Sequence, residues 1–544
     1  MAGSLWAGQG SSAIVSFRAS SGGLSSELSS SAASSSDSSS AEPGLLGPTQ
    51  PDASSSNPPA PICAIDDVFL WLAGGISSPR IQRLAGGETA RLACHLTPSC
   101  VHALEKAGAD ASLIHFLTGA SAHQKTPGST PQKSAATSTA KTPATTDSSS
   151  SCHCASSAAE IAAFVHAKNL DAAEAKLQTL LQADSKNATL LFVLGTVLRR
   201  EDRFDESFDA LSDSVHLMPG FAETHGELSY NFYRTDDSDN AIAEARTALS
   251  IDPANAEAYR FLGLAHYGDG HYDAALNAYE KSLEREPENA DVYFDMGITQ
   301  RDKGDLRRAA IAYRHALSLR PDFWEAHSNL GIVLRDQGKL DEAVAEYRTA
   351  IRLKPDEASI RSNLGNTLCD KEDFDKAIAE FKELYRQTPN WEGGHNCLAR
   401  AYMSKRDYPS AIRELRAAIV QNPAGAAEYR VLGQALLLTG QDDEAVDVLR
   451  KAVTLNPESA LGHHYLGTAF VNTQQLADAE KEFREALRLE PSGQNHYSLA
   501  ACLMALDRYE EALGELETAS RLDPNENLYR TRMQEAARMI TTPK

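Results

Sequence analysis

Cys152, His153 and Cys154 put three metal-ligating side chains in a row. Thiolates and an imidazole suit a tetrahedral zinc ion, but a structural site needs a second pair at finger spacing. No such pair follows, and the run sits in a serine-rich tract, so it reads as an incidental cluster. Cys94, His95, Cys100 and His102 group more loosely among apolar residues, which fits a small helical core better than a metal centre. The remaining thiols, Cys63, Cys369, Cys397 and Cys502, show no framework spacing and are expected to be reduced or inert. Phosphate-loop, zinc-protease and nucleophile-elbow patterns are missing, as is a dinucleotide-binding glycine run. The expectation is a protein without cofactor, metal or catalytic residues of its own.

The 544 residues exceed one compact core and imply several domains. Lys and Arg number 52 against 74 Asp and Glu, a net charge of −22, so phosphate backbones are repelled and nucleic acid is not an expected partner. No apolar run is long enough to span a membrane. The N-terminus lacks a sustained apolar core behind a basic start, so no secretory signal is read and the cytoplasm is the expected compartment. Nothing in these totals sets an oligomeric state.

Composition divides the chain. Residues 1–61 and 119–157 are Ser-rich or Ser/Thr/Pro-rich and are expected to be disordered, because they cannot bury enough apolar surface to offset chain entropy. Between them, residues 62–118 contain two matching halves. Aligned from Asp67 and Cys100, Val68 meets Val101, Gly75 meets Gly108 and Ile81 meets Ile114. Each half predicts a helix, a glycine stop and a second short helix, packed as paired hairpins. The pattern resembles helical hairpins found beside repeat arrays in some bacterial proteins. It also resembles a DNA-reading helix-turn-helix, with Arg80 and Arg83 on the second helix.

From residue 188 a period of 34 takes over. Pro219, Pro253, Pro287, Pro321, Pro355, Pro389, Pro423, Pro457 and Pro491 keep the step, and Pro524 comes one residue early. A small residue keeps it too, as at Gly195, Gly263, Gly331 and Gly433, with Ala or Ser twelve positions later. Such a period means stacked supersecondary units. In one unit, apolar spacing predicts a helix over 326–337, a stop at Gly338, a second helix over 340–352 and a turn at Pro355. Gly331 and Ala343 are small so that the two helices can cross closely, beside Leu330 and Tyr347.

These residues resemble tetratricopeptide repeats. Ten units fill 188–526, a degenerate unit that keeps Ala173 fills 158–187, and residues 527–544 supply a closing helix and tail. In that helix Leu528, Met533, Ala536, Ala537 and Ile540 are expected to cover the last unit. The array is similar to that of O-linked N-acetylglucosamine transferase, and the expectation is that no room remains after it for that enzyme's catalytic domain. The resemblance implies an all-α, right-handed superhelix whose concave groove, lined by first helices, binds peptide segments or helices of partner proteins.

The resemblance also places groove residues two before, four after and five after the small residue. Near these offsets the early units offer Tyr230, Tyr233, Arg260, Tyr267 and Phe294, an aromatic zone with a cation. The middle units offer Arg301, Asn329, Arg335 and Asn363, with the acidic row Asp302, Asp336 and Asp370; the late units offer Leu437, Leu438 and Val471. Aromatic and Arg side chains are common hot spots, and asparagine amides can hold a peptide backbone. The bland alternative is ordinary surface and inter-repeat packing. A carboxylate clamp of the chaperone-binding type is not supported, since Ser362 and Cys397 replace its lysine and asparagine. The reading is a non-catalytic interaction scaffold. Its rivals are a substrate-recruiting arm for a separate catalytic subunit and a DNA-binding regulator acting through residues 62–118.

Overall fold

A computed structural model describes residues 65–85, 96, 98–117 and 156–541. The tracts expected to be disordered lie outside these residues, except for Ser156 and Ser157, which open a helix. Cys94, His95 and Cys152–Cys154 also lie outside them. The chain divides into two compact units, and the division along the sequence falls between Gly304 and Asp305. All regular structure among the described residues is α-helical.

The first unit opens with α1 (Ile65–Ala73), α2 (Ser78–Leu84), α3 (Pro98–Lys106) and α4 (Ala111–Leu117). Then come α5 (Ser157–His166), α6 (Leu170–Ala183), α7 (Ala188–Arg200), α8 (Phe204–Leu217), α9 (Ala222–Arg234), α10 (Ser238–Ile251), α11 (Ala256–Gly268), α12 (Tyr272–Arg285) and α13 (Ala290–Asp302). The second unit holds α14 (Leu306–Leu319), α15 (Trp324–Asp336), α16 (Leu340–Leu353), α17 (Ala358–Asp370), α18 (Phe374–Gln387), α19 (His395–Ser404), α20 (Tyr408–Gln421), α21 (Ala426–Leu438), α22 (Asp442–Leu455), α23 (Ala460–Asn472), α24 (Leu476–Leu489), α25 (Gly493–Ala505), α26 (Tyr509–Leu522) and α27 (Asn527–Thr541). Within each unit, first helices of the repeats pack on the second helices that follow them, as α7 does on α8 and α15 on α16, and consecutive first helices also touch, as α9 does α11 and α15 does α17.

Local chemistry sets the boundaries. Asn187, Asn255 and Asn289 cap first helices, and Asp237, Asp305 and Asp407 cap second helices, each accepting a backbone N–H three residues on. Each first helix from α5 onward ends on a left-handed residue, and these recur every 34 residues from Lys168 through Asp202, Asp236, Gly270, Gly304, Gly338, Glu372, Arg406 and Gly440 to Gln474. Asp507 follows 33 later, matching the short last step. Gly338 makes the expected stop, with its N–H on Arg335 O at 2.8 Å and Lys339 N–H on Leu334 O at 2.8 Å.

The small residue of each unit faces a large one sixteen positions on. A Cβ on Gly331 would lie 2.7 Å from the Tyr347 ring, one on Gly365 2.6 Å from Phe381, and one on Gly433 2.3 Å from Leu449. Where Ser229 replaces the glycine, its opposite number is Ala245, fully buried. In that unit the bulkier residue on the first helix is met by a smaller one on the second.

Three expectations are corrected. The paired hairpins do not form a core of their own: Val68, Phe69 and Leu70 share one apolar cluster with Ile161, Phe192 and Val193 of the repeats, and α1 packs on both α5 and α7. The closing helix exists, but it buries Tyr529 and Ala536 and leaves Leu528 and Ile540 45% and 37% exposed. Tyr529 wins the inward position by stacking on Tyr497, with ring centroids 5.2 Å apart. Finally, Cys369 and Cys397 are joined in a disulfide between α17 and α19 rather than reduced. They are 28 residues apart, and consecutive first helices bring them together. Cys502 is a buried free thiol, its pKa pushed up to about 11 by burial and the nearby Glu480.

Candidate partner-binding face

The side of each unit on which first helices touch one another carries two recurring contacts. In one, a residue four after the small position meets a residue two before it in the next unit, 28 positions on. Arg199 Nε and Glu227 Oε2 pair at 2.5 Å, Tyr233 and Phe261 share a cluster, Cys369 and Cys397 are covalently joined, and Leu437 clusters with Tyr465. The side-chain types match across each contact: charge with charge, ring with ring, sulfur with sulfur.

The second contact spans 35 positions. Arg260 Nε donates to Asp295 Oδ2 at 2.7 Å, the Tyr267 hydroxyl donates to Asp302 Oδ2 at 2.6 Å, and Arg335 Nε donates to Asp370 Oδ2 at 2.7 Å. Each joins consecutive first helices. Asp302 also accepts from Arg301 Nε at 2.9 Å, and Asp370 from Arg400 at 3.3 Å. Burial and the hydrogen bond to Asp302 push the Tyr267 phenol far above its ordinary range. Burial likewise pushes Asp295 up to about 6, with Arg260 opposing it.

In the first unit the structure brings Tyr230, Tyr233 and Phe261 together, with centroids 6.0 Å and 5.5 Å from Tyr230, and sets the Arg199 guanidinium 4.7 Å over the Tyr230 ring. Phe294 is half-buried on α13, as is Arg301, whose side chain is only 8% exposed. Asp302, Asp336 and Asp370 are exposed. Leu438 is 52% exposed, whereas Leu437 and Val471 pack in the apolar cluster.

Asn329 and Asn363 depart from the expected open rungs, at 1% and 2% exposure. Their offset is the one that packs against the neighbouring first helix, which closes them off. Asn329 Nδ2 donates to Glu325 O at 3.0 Å, while Asn363 Nδ2 has no partner among the described residues.

Sequence reasoning missed the role of the hairpins beside this face. Arg80 Nε pairs with Glu223 at 2.5 Å and its guanidinium also pairs with Asp252; Arg83 lies 3.7 Å from Glu286, which accepts from Ser77 at 2.8 Å. The two arginines of the helix-turn-helix reading are therefore committed to carboxylates of the repeats. A cavity of about 320 Å³ separates α2 and its preceding turn from the first helices, lined by Gly75, Arg80, Arg199, Glu227, Arg260 and Phe261. The signal was available only in part. Gly75 and Gly108, equivalent in the two halves, both have positive φ, and each lies against a repeat side chain, Arg200 and His166 respectively.

Family comparison agrees with this geometry. A tetratricopeptide repeat profile matches residues 161–220, 227–290, 262–322, 398–460 and 466–527, and two further profiles of the repeat match 333–368 and 312–345. The chain belongs to the tetratricopeptide repeat family. Among solved structures it is similar to the APC/C hetero-tetramer Cut9–Hcn1, at 14% identity over 70% of this chain and 84% of that one, with a TM-score of 0.34. It is similar to YrrB, described as having an unusual peptide-binding site, at 22% identity over 37% and 99%, TM-score 0.30. A repeat protein from Parabacteroides merdae matches at 17% identity over 46% and 98%, TM-score 0.33. Comparison with curated proteins gives no match. No described helix is long and apolar enough to cross a membrane.

Proposed function

We propose that this chain is a non-catalytic scaffold that binds protein segments on its first-helix faces. The supporting observation is the run of 35-residue contacts, Arg260–Asp295, Tyr267–Asp302 and Arg335–Asp370. Each holds a charged or aromatic group in place before any partner arrives, and groups already ordered lose little entropy on binding. Asp302 and Asp370, the acceptors of two of these contacts, keep part of their surface exposed to meet cations of a partner, while Tyr230, Tyr233 and Phe294 offer apolar anchors. The partner this chemistry fits is an extended segment carrying basic residues and at least one apolar side chain.

The test uses a random peptide library selected on the immobilised full chain. A bound peptide is expected to slow amide exchange in α9, α11 and α13, or in α15 and α17. Protection confined to the even-numbered helices contradicts the proposal.

A further inference from the structure

One position of the repeat varies in a coupled way. It lies on the first helix, and its counterpart nineteen residues on lies on the second. In six of the ten units the pair is a cation and a glutamate: His225–Glu244, His327–Glu346, Arg361–Glu380, His395–Glu414, His463–Glu482 and His496–Glu515. The other four units carry Leu191 with Ala210, Tyr259 with Ala278, Tyr293 with Ala312 and Tyr429 with Val448. No unit mixes the two solutions, so the residues at this position act as a pair.

The geometry explains the pairing. Each histidine Nδ1 lies 2.6–2.8 Å from a carboxylate oxygen, and Arg361 reaches Glu380 at 2.8 Å. In three units the other ring nitrogen is engaged as well. His225 Nε2 is 3.2 Å from Pro219 O, His327 Nε2 is 3.1 Å from Pro321 O, and His463 Nε2 is 3.0 Å from Pro457 O. A carboxylate and a carbonyl both accept, so both ring nitrogens must donate, and only the imidazolium does so. In the neutral ring one lone pair faces an oxygen lone pair. Arg361 fills the same place with a cation that never loses its charge.

We infer that His225 and His327 are protonated staples between the two helices of their units, and that the array loosens as these imidazoles lose their protons. His225 faces Glu244 on α10 and the Pro219 carbonyl. His327 faces Glu346 and Arg352 on α16 and the Pro321 carbonyl. The hydrogen bond to Glu244 raises the pKa of His225. For His327, burial opposes the charge, but Glu346 and the Pro321 carbonyl outweigh it and the pKa also rises. A raised folded-state pKa means the stabilisation is complete below the unfolded value of about 6.5 and is lost as pH climbs through the folded one. Each proton fully released changes the unfolding constant roughly tenfold per pH unit.

The experiment has two arms on the full chain. With ¹⁵N-histidine labelling, the ring nitrogens of these two residues, assigned through single His→Tyr variants, are expected to report mostly imidazolium at pH 6.5, where a free ring is about half protonated. Neutral rings there overturn the inference. In the second arm the thermal midpoint is followed from pH 6 to pH 9. The native chain is expected to lose stability across that range. The loss is expected to be smaller when the two pairs are converted to the apolar solution already present in the array: His225→Tyr with Glu244→Ala, and His327→Tyr with Glu346→Ala. Equal pH dependence of the native and converted chains overturns it. His327→Arg, which copies Arg361, tests one unit without removing its ion pair and is expected to flatten the slope in part.

Discussion

At the scale of single residues, the buried contacts decide cost. Arg260→Ala leaves Asp295, 7% exposed, without its cation and is expected to destabilise the first unit by about 3–5 kcal/mol in urea unfolding. Replacing both partners, Arg260→Met with Asp295→Leu, is expected to recover most of that loss, because no charge is then stranded. Gly331→Leu drives carbon into the Tyr347 ring and is expected to cost about 1–3 kcal/mol, whereas exposed Arg348→Ala should stay within about 0.5 kcal/mol. Equal midpoints for these two variants contradict the close crossing. Gly331, Ala343 and Tyr347 were legible from sequence because their period repeats. The asparagines were misjudged because an offset names a helix face without saying how closely the next helix covers it. Asn363 sits under its neighbour, while Asp370, on the same helix, reaches solvent.

At the scale of elements, the periodic signals located the helices to within two residues: 326–337 was expected where α15 spans 324–336. The helix stop was legible at Gly338 but not at Lys168, Asp202 or Glu372, which adopt the same left-handed turn without glycine. Such residues carry a steric cost that glycine lacks, so Glu372→Gly is expected to raise stability by up to about 1 kcal/mol, read as a shift in the urea midpoint. No change or a loss would show that Glu372 is not strained. The Cys369–Cys397 bridge escaped notice because its cysteines occupy different offsets in successive units. It closes a 28-residue separation, and reduction is expected to cost about 3.6 kcal/mol by loop entropy. Cys369→Ser should lessen the sensitivity of the midpoint to reductant; Cys100 is also disulfide-bonded and keeps part of it.

For the whole molecule, the N-terminal hairpins matter more than composition suggested. Two glycine stops and a matching pair of halves revealed their helices, but not that Val68 and Phe69 complete the core begun by Ile161 and Phe192. A chain starting at residue 156 therefore exposes apolar surface on α5 and α7. It is expected to keep the far-ultraviolet helical signal of the repeats yet melt earlier than the full chain; an unchanged midpoint contradicts the shared core. The proposed recognition uses the first-helix faces, on which Tyr267 and Arg301 of the first unit converge on Asp302. The most direct measurement is the dissociation constant of a library-selected peptide for Tyr267→Ala with Arg301→Ala. The control is Arg246→Ala with Asn277→Ala, two exposed positions on α10 and α12. Each variant is first checked by circular dichroism, since Arg301 is largely buried. The account predicts at least a tenfold weakening for the first pair, about 1.4 kcal/mol, and none for the second. Equal weakening by both pairs, or none by either, contradicts recognition on the first-helix face.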